Sequence, residues 1–188
     1  MAFIMGFAPD DSGNRPQIPR VTKPKGTGQL SCNEAVVISG GAVIPATAGN
    51  TELITGAVFS LRDSNGKTVD FLDTNDEGEV DVTYGQDIIY TISAEADQDV
   101  TAAVVEGDQN ANLSAASVSD DFQYAQRTID LSTIADYATS GGNQRQLLIL
   151  GTPSPAGTNS TTGGLETGLG LGRQVRVRIN PSNYLPTG

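Results

Sequence analysis

The 188-residue chain has no histidine and one cysteine, Cys32, which excludes an intramolecular disulfide, histidine-based acid–base or nucleophile systems, and every histidine-ligated or cysteine-cluster metal site. Its net charge of −11 is uneven: residues 1–25 carry four bases against two acids, residues 173–188 carry three arginines and no acid, and the stretch between them holds the other 20 of the 22 acids. So acidic a body repels the phosphates of nucleic acid and of anionic membranes, so neither is an expected partner, whereas the basic ends suit an acidic or polar protein surface.

Hydrophobic residues make up 37% of the chain and aromatics 5%, with no tryptophan, so a core must come from Val, Ile, Leu and Ala. No apolar run reaches the roughly 18 residues that cross a membrane. Residues 2–8 are apolar but lack a basic flank and end at Pro9-Asp10-Asp11, so they do not read as an export signal.

Residues 1–30 show no period and contain Pro9, Pro16, Pro19 and Pro24. Proline fixes φ and removes an amide donor, so this stretch reads as an extended N-terminal arm. Its tip, Phe3, Ile4, Met5 and Phe7, is an apolar cluster that needs a cover. Residues 34–39 and 42–44 read as short strands about a Gly40-Gly41 turn. Five segments of period two then fill 55–105 and read as a β-meander. They are carried by Ala57, Phe59 and Leu61; by Val69 and Phe71; by Val80, Val82 and Tyr84; by Ile88, Tyr90 and Ile92; and by Val100, Ala102 and Val104. Asp63-Ser64-Asn65-Gly66 and Thr74-Asn75-Asp76-Glu77-Gly78 supply turns between them.

Residues 107–112 read as a loop and 113–118 as an edge strand or irregular crossing. Residues 121–138 are the one place for a helical turn, with Ser132 as cap and Ile134 and Tyr137 spaced by three. Residues 146–150 form a continuous apolar run, as in a buried strand. Residues 151–172 are a Gly/Thr/Ser loop. Val175, Val177 and Ile179 alternate with Arg176 and Arg178, a terminal strand with a basic face. The expected architecture is all-β, an antiparallel β-sandwich or barrel-like meander. It has an arm (1–30), a body (31–150), a flexible loop (151–172) and a terminal strand and tail (173–188).

No segment carries catalytic chemistry. The glycine-rich run 164–170 follows no strand and opens no helix, so it is no phosphate loop. Residues 73–78 resemble the first half of a calcium loop, but the twelfth position, where a bidentate glutamate belongs, is Tyr84. No catalytic residue, metal or cofactor is expected.

Two resemblances bear on role. Residues 56–67, with 74–80 and 89–92, look like the small immunoglobulin-like repeats of bacterial surface proteins, which implies a β-sandwich and an adhesion or fibre module that binds a cell-surface ligand. The overall layout is an acidic β-domain with a proline-rich N-terminal arm and a terminal Arg-Val-Arg-Ile-Asn-Pro-Ser-Asn stretch. That layout is similar to the capsid decoration (cement) proteins of tailed bacteriophages. The second resemblance implies a non-enzymatic virion protein on the outer capsid surface, made in the host cytoplasm, that binds the major capsid protein either self-associated as a dimer or trimer or as single copies bridging capsomers. The contacts it implies are Phe3, Ile4, Phe7, Arg15, Arg20, Lys23 and Lys25 of the arm and Arg173, Arg176 and Arg178 near the end.

Overall fold

A computed structural model of the chain describes residues 8–9, 18–49, 51–95, 98, 100, 109–114, 117–118, 125–136, 145–151 and 174–187. The strands, in chain order, begin with β1 (Ala8–Pro9), β2 (Arg20–Pro24), β3 (Leu30–Ser31), β4 (Ala35–Ser39), β5 (Ala42–Pro45), β6 (Gly56–Asp63), β7 (Thr68–Val69) and β8 (Phe71–Leu72). They continue with β9 (Gly78–Tyr84), β10 (Tyr90–Ser93), β11 (Gln109–Leu113), β12 (Ser117–Val118), β13 (Ala125–Gln126), β14 (Ile129–Asp136), β15 (Leu147–Gly151) and β16 (Gln174–Ile179). The chain is all-β, and its sheets pack as an antiparallel sandwich without closing into a barrel.

The first sheet has the order β1-β10-β16-β15-β11-β14; the second runs β2-β9-β6-β4-β5, with β7 added to β6. Between them lies a core of Ile92, Ala111, Leu147, Val175, Val177 and Ile179 from the first sheet against Ala35 and Ala57 from the second. The small residues of the second sheet let the layers approach closely. On its other face the second sheet curls. Its outer strands β2 and β5 meet at one parallel bridge, Lys25 to Val43, reinforced by the Gly26 amide donating to the Val43 carbonyl at 2.7 Å. Inside the curl Val36, Ile38, Val43, Val58, Leu61, Val80 and Val82 form a second core, capped by Leu30 and Leu72 of the β3–β8 pair. Each such side chain contributes about 1.5–3 kcal/mol on full burial.

The period of two holds in β9, where Val80 and Val82 share the curled core. In β6 it breaks, since Ala57 packs in the sandwich core, Leu61 in the curled core and Phe59 is exposed. The order of the strands is not a meander. The first and third apolar segments, β6 and β9, are neighbours. The second is split: Thr68 and Val69 pair with β6, whereas Phe71 and Leu72 leave to pair with β3. The fourth, β10, belongs to the other sheet. Of the fifth, Val100 is buried, and 101–104 lie outside the described residues. The Gly40-Gly41 turn is present, both glycines at positive φ, 59° and 82°.

Further along, the residues read as a loop at 107–112 contribute most of β11, an inner strand of the first sheet. The helical turn expected around Ser132 is instead strand β14. Ile129 packs into the sheet core, and β11 offers a ladder of backbone partners that a short helix rich in Ser, Thr and Asp cannot match. The basic strand at 174–179 is present and lies inside the first sheet, between β10 and β15. The arm also divides. Residues 20–24 are the edge strand of the second sheet, where proline is tolerated, and Ala8–Pro9 pairs with β10. The remainder of 1–17, and 152–173, lie outside the described residues.

Candidate functional site

Strand β2 places Arg20 and Thr22 on one side and Val21, which joins the curled core, on the other. The neighbouring β6–β9 ladder contains a bulge: Val58 pairs with Val82 and Ser60 with Asp81, leaving Phe59 as the extra residue. The bulge turns the Phe59 ring out of the sheet, 47% exposed, and the Arg20 guanidinium lies 3.4 Å from the ring centroid. Beside this pair Asp81 accepts from the Ser60 hydroxyl at 2.7 Å and from Arg62 Nη2 at 2.9 Å, while Arg62 Nη1 reaches Glu79 Oε2 at 3.1 Å. Thr22 Oγ1 donates to the second Asp81 oxygen. Burial pushes the Asp81 carboxyl up, but the Ser60 and Thr22 hydroxyls and the nearby Arg62 charge outweigh it and hold the group below the usual carboxylate range. The result is an open sheet face with an aromatic ring, two guanidinium groups and two carboxylates fixed in place.

Of the residues expected to make contacts, Arg20 is on this face. Lys23, on the same strand, points to the opposite side. The half-buried Lys25 Nζ donates to the Gly26 and Thr74 carbonyls, each at 3.1 Å. Its ammonium therefore sits over the 73–78 turn, whose carboxylates already bond within the turn and to Gln29. Among the described residues no group of three or more potential ligands converges on a metal position. Arg176 and Arg178 alternate with core residues of β16, so they lie on the side of the first sheet facing away from the sandwich core, opposite Thr91 and Leu148. Phe3, Ile4, Phe7, Arg15 and Arg173 lie outside the described residues. The structure adds Phe59, Arg62 and Asp81. The alternation Ser60-x-Arg62 against Glu79-x-Asp81 was the signal available for the last two.

A second place was silent in the sequence. Asn33 adopts a left-handed backbone (φ 63°), which asparagine tolerates, and its amide donates to the Val58 carbonyl. This turn aims Glu34 inward, where it is 1% exposed. Glu34 Oε1 accepts from Arg127 Nε at 2.7 Å, while Oε2 is buried without a partner among the described residues. Arg127 immediately precedes the 128–129 lead into β14, so the ion pair ties the first sheet to the second. Arg127 also lines an open cleft of about 480 Å³ together with the end of β5, the segment after it and the Thr27–Gly28 turn.

Burial raises the Glu34 carboxyl to about 7, against the opposing pull of the Arg127 charge and hydrogen bond. A carboxyl whose folded value lies above its unfolded value stabilises the fold most below the unfolded value. That contribution is lost as pH rises through the folded one. Stability should therefore fall between about pH 4.5 and about pH 7, by at most about 3 kcal/mol. Below about pH 4 the lowered Asp81 and Asp130 reverse the trend, since their contribution is lost on protonation. Urea unfolding across this range should show the slope in the native chain and not in Glu34→Gln.

No family model, no curated protein and no solved structure matches the chain, so its role is read from its own residues.

Proposed function

We propose that the chain is a structural virion protein that decorates and stabilises the outer surface of a phage capsid, with no catalytic role. The observation that carries this reading is the open face around Phe59. A half-exposed aromatic clamped by an arginine, within a fixed set of charges, has the composition of a protein-binding hot spot. Arg20 belongs both to this face and to the strand that continues the N-terminal arm. Docking through Arg20 would therefore involve both the sheet and the residues that precede β2. The acidic body disfavours nucleic acid, and the major capsid protein is the partner of choice.

The test is co-sedimentation with empty phage-like shells from the same source. Saturable binding is expected for the full chain. Phe59→Ala should weaken it at least tenfold, since loss of an aromatic hot spot costs about 2 kcal/mol or more. Truncation must stop at residue 17, because removing 1–25 would strip β2 from β9 and unfold the edge of the second sheet. Loss of binding in the chain lacking 1–17 would support the arm contact. Equal binding by Phe59→Ala and the truncated chain, or no binding by the full chain, would overturn the proposal.

A further inference from the structure

The open cleft lined by Arg127 brings together groups that can recognise a ligand. Its walls are the apolar ends of Ile44, Pro45 and Ala46 and the Thr27 turn, and among the described residues Arg127 is the one charged residue lining it. Its volume falls within the range of small-molecule pockets. Arg127 is 6% exposed, and two of its nitrogens are committed: Nε to Glu34 Oε1, and Nη1 to the Ser114 carbonyl at 3.3 Å. Nη2 has no partner among the described residues. A buried guanidinium with a donor to spare, set in apolar walls, is built for an acceptor that arrives on a hydrocarbon body.

We propose that this cleft binds a small aliphatic carboxylic acid, its carboxylate on Arg127 Nη2 and its chain along Ile44 and Pro45. The occupant is a carboxylate rather than a phosphate because Arg127, already paired with Glu34, is the one charged residue of the lining among the described residues, whereas a phosphate brings up to two charges and needs further cationic groups. Glu34 is the internal competitor. Arg127 is the one charged group acting on it among the described residues, and protonation of Glu34 leaves the guanidinium charge uncompensated. Binding of an ionised ligand is therefore linked to proton uptake by Glu34 and tightens as pH falls toward 6. The site is independent of shell binding.

Two-dimensional amide spectra of the full chain, titrated with sodium hexanoate and in parallel with hexanamide, test the proposal. With hexanoate, saturable shifts are expected at the amides of Thr27, Gly28 and Ala46, with a millimolar dissociation constant. The constant should be several-fold lower at about pH 6 than at about pH 8, since hexanoate stays ionised at both while Glu34 does not. Hexanamide should bind at least tenfold more weakly. Thr27 is exposed at the mouth, so Thr27→Trp should abolish the hexanoate shifts while the rest of the spectrum is retained. Equal responses to acid and amide, unchanged binding in Thr27→Trp, or no shift at either pH would overturn the assignment.

Discussion

Replacing Arg127 with methionine should lower stability by about 3–5 kcal/mol above neutral pH, because it leaves a buried carboxyl with no counter-charge. Glu34 is 1% exposed and one of its oxygens has no partner among the described residues, so the other oxygen depends on Arg127. Without arginine the carboxyl must either stay charged in an apolar setting or hold its proton to higher pH, and both cost free energy. The loss should shrink at about pH 5, where the group is neutral in either protein. Glu34→Leu combined with Arg127→Met should return to within about 1 kcal/mol of the native chain, as buried ion pairs exchanged for apolar groups often do. Urea unfolding of the two single variants and the double variant measures this directly. A deficit in Arg127→Met that is the same at both pH values would show that lost packing, not the orphaned carboxyl, is responsible.

The second large effect belongs to Gly56. It pairs with Tyr84 of β9 and Val36 of β4, so it joins three strands of the second sheet. A Cβ at this position would run into the Thr83 carbonyl oxygen and press on the Tyr84 backbone. The obstacle is main chain, so no side-chain rotation relieves it and the β6–β9 ladder must separate locally. Gly56→Ala is expected to cost about 3 kcal/mol or more, at the upper end for overpacking. Gly66→Ala is the matched control: its φ is 78° but its Cβ would meet open space, so about 1 kcal/mol is expected. Similar losses from the two substitutions in thermal or urea unfolding would contradict the clash.

The strands were legible because burial on alternate faces leaves a period of two. Val80 and Val82 face the curled core while Asp81 between them faces outward. Their partners were not legible. Nothing in residues 68–72 announces that Val69 stays with β6 while Phe71 departs to Ser31, since both are apolar residues of one period-two run. β14 was misread for a related reason. Ile134 and Tyr137 fit a helical spacing as a pair, and only the presence of β11 alongside decides the matter. The site followed the same division. Arg20 stood out as a base near the amino end, but Phe59 looked like an ordinary core residue until the bulge turned it outward. Glu34 and Arg127 are 93 positions apart, and no local pattern connects them.

The placement of β16 carries a consequence for how the chain is made. The second sheet draws all its strands from residues 20–84 and can assemble early during translation. The first sheet cannot, because its position between β10 and β15 stays vacant until residues 174–179 have emerged. Until then β10 and β15 expose unpaired edges, and Ile92 and Leu147 lack the Val175–Ile179 surface they pack against. The first sheet is therefore completed later than the second, when residues 174–179 enter between β10 and β15 and lock the layer from the inside.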